Sequence, residues 1–215
     1  ICFLGCGNIA LKHIKTIKEN KFDSISIEAF CDIKIEAAEE FANQYNAKSY
    51  SDVDQMIKCH DPDVIMVLTP SGNHAKDVIN ISKYGKTIIV EKPMALSLND
   101  AELMINSCKE HDSELFVIKQ NRYNLPIKEL KQALDLKSLG DIFMGTIRLR
   151  WMRDQAYFDA ANWRGTWKHD GGVLANQASH HIDLLRWLLG PVESVFASGN
   201  TYGVEIETEN SCAAT

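Results

Sequence analysis

The sequence predicts an α/β fold in which a Rossmann-type, doubly wound parallel sheet is followed by an α+β domain with a mostly antiparallel sheet. Three observations support this prediction. Short apolar runs alternate with helical patterns in the first half, a glycine-rich turn follows the first run, and the alternation stops after about Asn121. We therefore expect two domains, a Rossmann-type domain over 1–121 and an α+β domain over 122–215. The second domain is expected to be incomplete at its C-terminal end.

The first half is divided by its apolar runs and by the helical patterns between them. The runs are too short for helices and read as buried strands, at Ile1–Leu4, Ile25–Cys31, Val64–Leu68, Thr87–Glu91 and Leu115–Lys119, with a short extended piece ending at Tyr50. Helices are predicted from the apolar face of 9–17 and over 33–45, 53–58, 74–84 and 97–111. Ser97 and Asp100 have the spacing of a capping box at the start of the last helix.

The second half has a different pattern. Pro126 and Gly140 bound a predicted helix, and Gly190-Pro191 end another over Ala178–Leu189. Strand-like runs follow at Ile142–Met152, Val192–Tyr202 and from Ser211 onward, and a tryptophan-rich loop comes after the first of them. This order predicts an antiparallel sheet packed on helices.

Composition excludes several classes of function. The chain has 23 Lys and Arg against 29 Asp and Glu, a formal net charge of −6, and no basic run, which argues against binding nucleic acid or an anionic membrane surface. No apolar stretch approaches the roughly 20 residues of a membrane-spanning helix. We expect a cytoplasmic protein.

The turn Gly5-Cys6-Gly7-Asn8-Ile9-Ala10 has the pattern GxGxxA between a strand and a helix. The first glycine permits the tight turn, the second lets the backbone approach a pyrophosphate, and the helix N-terminus offers N–H groups to the phosphates. Asp32 ends the second strand, about 20 residues on, where a carboxylate accepts hydrogen bonds from ribose hydroxyls. An acid there repels a 2′-phosphate, so NAD is favoured over NADP. A plain tight turn and a helix cap are the alternatives.

Two further loops follow strands whose carboxyl ends lie at one edge of such a sheet, where ligands bind. Thr69-Pro70-Ser71-Gly72-Asn73-His74 follows the fourth strand, and a capped strand-to-helix turn is its alternative reading. Glu91-Lys92-Pro93 ends the fifth, where Lys92 can meet a substrate hydroxyl and lower its pKa. A surface lysine before a turn is the alternative there.

The run Asn176-Gln177-Ala178-Ser179-His180-His181-Ile182-Asp183 carries the proton-transfer candidate. We expect Asn176 and His180 to share a helix face, and the pKa of histidine near neutrality suits His180 to acid–base work. Adjacent histidines on a helix point about 100° apart, so no metal site is expected. A packed or capping histidine is the alternative. Cations and indoles precede this run, at Arg150, Arg153, Trp163, Arg164, Trp167 and Lys168.

Taken together, these motifs resemble the Gfo/Idh/MocA oxidoreductases, through GxGxxA, Thr69-Pro70 with Asn73-His74, Glu91-Lys92-Pro93, Trp163-Arg164 and the GGxLxxxxxHxxD run. The resemblance implies that 1–121 is a dinucleotide-binding domain and 122–215 a substrate and oligomerisation domain. It also implies that Lys92 is the family's active-site lysine and His180 its acid/base. Many members carry Asp where this chain has Asn176, and an amide cannot take a proton. We expect the cofactor NAD at Gly5, Gly7, Asn8, Ile9, Asp32, Thr69, Pro70, Asn73, His74, Glu91, Lys92, Trp163 and Arg164. We expect the substrate at Lys92, Arg150, Arg164, Asn176, Gln177 and His180.

The segment from Arg150 to Asp183 is similar to UDP-N-acetyl-2-amino-2-deoxyglucuronate 3-dehydrogenases. This resemblance implies oxidation of a sugar 3-hydroxyl by hydride transfer to nicotinamide, for polysaccharide biosynthesis, by a homo-oligomer (dimer or tetramer). Arginine and lysine suit a substrate with a diphosphate and a carboxylate. The alternatives are a dehydrogenase of a free sugar or inositol, and a non-catalytic NAD-binding regulator of the same fold.

Overall fold

The protein divides into two compact units in a computed structural model that describes residues 1–20, 22 and 24–215. The first unit is Ile1–Ile118 and the second is Lys119–Thr215. The division therefore falls three residues before the domain boundary expected from the sequence.

The first unit is built on a six-stranded sheet in which every pairing is parallel. Its order is β3-β2-β1-β4-β5-β6, the strand order of a doubly wound dinucleotide-binding sheet. The strands are β1 (Cys2–Leu4), β2 (Ala29–Cys31), β3 (Lys48–Tyr50), β4 (Val64–Val67), β5 (Thr87–Val90) and β6 (Leu115–Val117). The order changes direction between β1 and β4, so the loops after these strands meet where such sheets bind ligands.

The α-helices of the first unit connect these strands, and the cap expected at Ser97 is present at the start of the last of them. They are α1 (Asn8–Glu19), α2 (Ile35–Tyr45), α3 (Val53–His60), α4 (His74–Ser82) and α5 (Leu98–Glu110). The Ser97 hydroxyl accepts a hydrogen bond from the Asp100 N–H at 3.1 Å, which satisfies one N–H group that the helix itself leaves open.

Apolar side chains are buried on both faces of the sheet. Along β1, Cys2 and Leu4 belong to one cluster and Phe3 to the other. Phe3 packs on Phe30 with ring centroids 5.2 Å apart. Because both faces are covered, β1, β2, β4 and β5 read as continuous apolar runs rather than as alternating patterns.

The second unit contains four α-helices and a two-stranded antiparallel sheet. Its elements are α6 (Leu125–Asp135), α7 (Gln155–Asp159), α8 (Gly172–Ala175), α9 (Ser179–Leu189), β7 (Ala197–Asn200) and β8 (Ser211–Ala214). With the parallel sheet of the first unit, this confirms the predicted fold class.

Several element predictions in this unit were wrong. Residues 142–152 form no strand in the described structure, and Phe143 and Met152 are 96% and 85% exposed. A strand needs a hydrogen-bonded neighbour, and no described strand pairs with this run. The predicted strand 192–202 shortens to β7, and the helix predicted to reach Gly140 ends at Asp135.

None of the helices within residues 1–20, 22 and 24–215 combines the length and the apolar character that a membrane span requires.

Candidate functional site

The glycine-rich turn joins β1 to α1, and its two glycines have different structural roles. Gly5 has φ +101°, and a Cβ there would lie 2.7 Å from the backbone carbon of Leu68, so only glycine lets the turn pack on the end of β4. Gly7 precedes α1, and a Cβ there would meet no described atom within 4 Å. Asn8 and Ile9 begin α1, and the N–H groups in the first turn of a helix have no intrahelical acceptors. The turn therefore fits a phosphate group.

Asp32 follows β2 and holds the same turn. Its Oδ2 accepts a hydrogen bond from the Cys6 N–H at 2.9 Å, and Oδ1 accepts one from the Lys34 N–H at 2.9 Å. Burial, followed by the nearby Asp32 charge, raises the pKa of the Cys6 thiol to about 12. Cys6 is therefore neutral at physiological pH and adds no charge that would repel a phosphate.

The loop after β4 is tied to the loop after β5 by the ring of His74. This ring is 1% exposed, with Nδ1 2.8 Å from the Pro93 carbonyl oxygen and Nε2 2.9 Å from that of Thr69. Burial lowers the pKa of His74 against the opposing effect of the two carbonyl groups. The Thr69 hydroxyl donates to Asp77 Oδ2 at 2.6 Å. With its ring enclosed, His74 can influence a cofactor only through the loops that it holds. Pro70 and Asn73 are half-buried in the first of these loops.

Glu91-Lys92-Pro93 continues from β5, and its carboxylate is held on both sides. Glu91 Oε1 lies 2.8 Å from His13 Nε2, and Oε2 accepts the Lys92 N–H at 3.0 Å. Burial raises the pKa of Glu91, but these hydrogen bonds outweigh it and the pKa lies below its usual value. His13 is on α1, one turn beyond Ile9, so the pair links the helix of the glycine turn to the backbone of Lys92. Lys92 itself is half-buried.

In the second unit, His180 lies on α9, but Asn176 does not. Asn176 is in the turn between α8 and α9, so the expectation that the two residues share one helix face was wrong. Gly171 and Gly172, both with positive φ, begin α8 as a separate short helix. Asp183, also on α9, accepts two hydrogen bonds from Arg122, at 2.7 and 2.6 Å.

Asn176 is held by a carboxylate that was not among the residues expected from the sequence. Its Nδ2 donates to Oδ1 of Asp170, which is 4% exposed, and Oδ2 of Asp170 accepts the Gly165 N–H at 2.7 Å. Gln177 Nε2 lies 3.4 Å from the Tyr157 hydroxyl.

Two arginines stack on the Tyr157 ring. Arg164 Cζ lies 4.2 Å from the ring centroid and Arg153 Cζ lies 4.5 Å from it, while Arg164 Nη1 donates to the Tyr157 carbonyl oxygen at 2.6 Å. In the described part of the chain, neither guanidinium pairs with a carboxylate, and both Nε atoms are buried without a hydrogen-bond partner. Arg164 Cζ lies 5.7 Å from the centroid of the Trp163 ring, and Arg150 is exposed. The loop therefore concentrates positive charge on an acidic protein.

Sequence reasoning missed His13 and Asp170. A histidine one turn along α1 from the glycine motif was the available signal for His13, since residues four apart share a helix face. We find no sequence signal for Asp170, whose role depends on how the chain folds back.

Among the residues that the structure describes, no three His, Cys, Asp or Glu side chains are grouped to hold a metal ion.

Comparison with known proteins gives two family matches that cover most of the chain. Residues 1–119 match the oxidoreductase family, NAD-binding Rossmann fold, and residues 127–215 match the GFO/IDH/MocA C-terminal domain. The first unit is thus an NAD-binding Rossmann domain.

Two solved structures are similar over 99% of this chain, each with a TM-score of 0.95 and 38% identity. They are WlbA dehydrogenases from Bordetella pertussis and Chromobacterium violaceum, both in complex with NADH and UDP-GlcNAcA, and the match covers 65% and 61% of those chains. Myo-inositol 2-dehydrogenase from Thermotoga maritima is 28% identical over 92% of this chain and 57% of its own length. The chain thus spans about half the length of the curated relatives and under two thirds of the solved structures.

Proposed function

The chain belongs to the GFO/IDH/MocA oxidoreductase family, and on that premise we propose that it oxidises the 3-hydroxyl of a UDP-N-acetylhexosaminuronate with NAD. The observation that carries this proposal is its likeness to two dehydrogenases in complex with NADH and UDP-GlcNAcA, at 38% identity over 99% of the chain.

Charge in the second unit supports an anionic substrate. Arg153 and Arg164 lie against one tyrosine ring, and neither is paired with a carboxylate of the described residues. Two neighbouring cations repel each other, and an anionic group between them relieves that repulsion. Guanidinium groups bind phosphate and carboxylate with two parallel hydrogen bonds, and the substrate has both groups. We assign Arg164, Arg150 and Gln177 to this substrate.

The cofactor assignment rests on the fit of the glycine turn. Open space in front of Gly7 and the N–H groups of Asn8 and Ile9 suit the pyrophosphate, and Asp32 suits a ribose with free hydroxyls. Thr69, Pro70, Asn73, His74 and Glu91 line or brace the adjoining loops, and Trp163 and Arg164 complete the proposed set. NAD held by these residues would supply a hydride acceptor for the sugar carbon.

Side chains of the protein, rather than the cofactor, are proposed to accept the proton of the sugar hydroxyl. In our proposal His180 accepts the proton of the 3-hydroxyl, because an imidazole is half-ionised near neutral pH. The Lys92 ammonium stabilises the developing negative charge on that oxygen and so lowers the pKa of the hydroxyl. Asn176 hydrogen-bonds the sugar and takes no proton. We further propose a cytoplasmic homo-oligomer, a dimer or a tetramer.

Incubation of the full-length protein with NAD and UDP-N-acetylglucosaminuronic acid tests this proposal. Parallel samples would contain 2-oxoglutarate to reoxidise the cofactor. Mass spectrometry should find a sugar nucleotide that has lost two hydrogens, and NMR should place the new carbonyl at C3. NAD binding without this product would contradict the proposed substrate.

A free sugar or inositol is the second candidate, and it is favoured by the likeness to myo-inositol 2-dehydrogenase from Thermotoga maritima. Competition distinguishes the two. UDP should inhibit oxidation if the substrate is a nucleotide sugar, and it should have no effect if the substrate is inositol. Cofactor binding with no turnover on either class would favour a non-catalytic regulator.

A further inference from the structure

Asp170 is a buried carboxylate that joins two parts of the second unit. Its Oδ2 accepts the Gly165 N–H at 2.7 Å, and its Oδ1 accepts a hydrogen bond from Asn176 Nδ2. Only 4% of the residue is exposed, so water cannot replace either partner at low cost. Nothing in the proposed chemistry uses Asp170 directly.

The contact with Asp170 decides which way the Asn176 amide points. An ionised carboxylate only accepts hydrogen bonds, whereas an amide side chain has a donor end and an acceptor end. Because Nδ2 faces Asp170, Oδ1 of Asn176 is at the opposite end of the amide group. The carboxylate thus selects one of the two orientations that an asparagine could take.

The same carboxylate also holds the turn that carries Arg164. Gly165 has φ +69°, and its N–H is the group that binds Asp170. Arg164, the preceding residue, stacks on Tyr157 at 4.2 Å. One buried group therefore sets the position of an amide and of the neighbouring cation.

We propose that Asp170 is a positioning residue that holds Asn176 with its Oδ1 as the acceptor for a sugar hydroxyl and holds the Arg164 turn beside it. This inference rests on the proposed function, because it assigns Asn176 to the substrate. It predicts that kcat/KM for the sugar depends on having one hydrogen-bond donor and one acceptor across the contact between residues 170 and 176. Negative charge at 170 alone is not sufficient.

An exchange of the two side-chain types tests the inference in the full-length protein. Asp170→Asn places an amide where two N–H donors converge, and Asn176→Asp places two carboxylates face to face. The double variant Asp170→Asn, Asn176→Asp restores one donor and one acceptor across the contact, and the amide oxygen at 170 can still accept the Gly165 N–H. Asp159→Asn, an exposed carboxylate on α7, is the matched control.

Steady-state kinetics with NAD and UDP-N-acetylglucosaminuronic acid give the first readout. We expect each single variant to lower kcat/KM for the sugar about ten- to a hundredfold, since an unmatched buried polar group costs about 1–3 kcal/mol. The KM for NAD should rise by less than kcat/KM for the sugar falls, because the glycine turn proposed for the NAD phosphates is unchanged and only the Arg164 turn is disturbed. The double variant should recover most of the loss, and Asp159→Asn should match the parent protein.

Thermal unfolding of the same four variants separates failure of this inference from failure of the proposed function. A parent protein that does not oxidise the sugar contradicts the function, and a stability coupling between 170 and 176 would then still support the contact. The inference is overturned if the double variant is no more active and no more stable than either single variant. It is also overturned if Asp170→Asn leaves kcat/KM within about twofold of the parent.

Discussion

Gly5 and Gly7 lie two residues apart in one turn, yet substitution should affect them differently. Gly5→Ala would force an alanine to φ +101° and push its Cβ to 2.7 Å from the Leu68 backbone, so we expect a loss of stability of about 2 kcal/mol or more. Gly7→Ala meets no described atom within 4 Å, so the fold should survive, but the methyl group would occupy the space proposed for the pyrophosphate. NAD affinity should fall about tenfold or more in both variants.

Thermal unfolding and NAD titration would check both outcomes. The lowered melting temperature should appear in Gly5→Ala and be absent from Gly7→Ala. Unchanged NAD affinity in a folded Gly7→Ala protein would refute the placement of the phosphates.

Lys92 and His180 are the two side chains to which we assign chemistry. Lys92→Ala and His180→Ala should each lower kcat about a hundredfold or more, the usual contribution of a positioned acid or base. Binding of NAD should be retained, because we place its phosphates at the glycine turn, which neither substitution alters. Lys109→Ala, an exposed lysine in the last turn of α5, provides a control for the loss of a positive charge. Near-normal turnover in both variants would show that the assignment is wrong.

At the scale of elements, the contact between α1 and the end of β5 makes stability depend on pH. The pKa of Glu91 lies below its ordinary value of 4.5, because the hydrogen bonds from His13 and the Lys92 N–H outweigh the effect of burial. The folded state therefore holds its proton less tightly than the unfolded chain. The stabilisation from Glu91 is complete above pH 4.5 and is lost as the pH falls below it toward the lowered value.

Glu91→Gln removes this titration. The difference in unfolding free energy between parent and variant should be largest near neutral pH and should shrink below pH 4.5, as measured by denaturant unfolding at a series of pH values. Glu39→Gln, on the exposed face of α2, should follow the parent at every pH. If the difference between the parent and Glu91→Gln does not change with pH, the account of this contact is contradicted.

The elements that were predictable from the sequence are those whose formation depends on the residue pattern within the element itself. The strands β1, β2, β4 and β5 are largely buried, so each appears as an apolar run, and Ser97 has the spacing that its cap requires. Residues 142–152 carry a strand pattern without forming a strand, since pairing depends on a neighbour that the run itself does not specify. The turn over 176–178, which separates α8 from α9, was missed because a four-residue spacing does not itself show that a helix continues through it.

At the scale of the whole molecule, the sequence identified motifs but not the groups that hold them. The glycine turn, Asp32, Lys92 and His180 stand out as residue types in recognisable places. His13 and Asp170 act through contacts with Glu91 and Asn176, which lie 78 and six residues away along the chain. Helix spacing could have placed His13 near the glycine turn, but neither partner, Glu91 nor Asn176, follows from a local periodicity.

We propose one reaction for the whole protein, supported by the family matches and by the likeness to the two WlbA dehydrogenases. In this proposed reaction, the hydrogen on C3 of a UDP-linked uronic acid passes directly to NAD. A substrate carrying deuterium at C3 tests this claim most directly. Mass spectrometry of the reduced cofactor after incubation with the full-length protein should show one deuterium per turnover, with none in the keto sugar. Reduced cofactor without deuterium, or no reduced cofactor while myo-inositol is oxidised readily, would contradict the account.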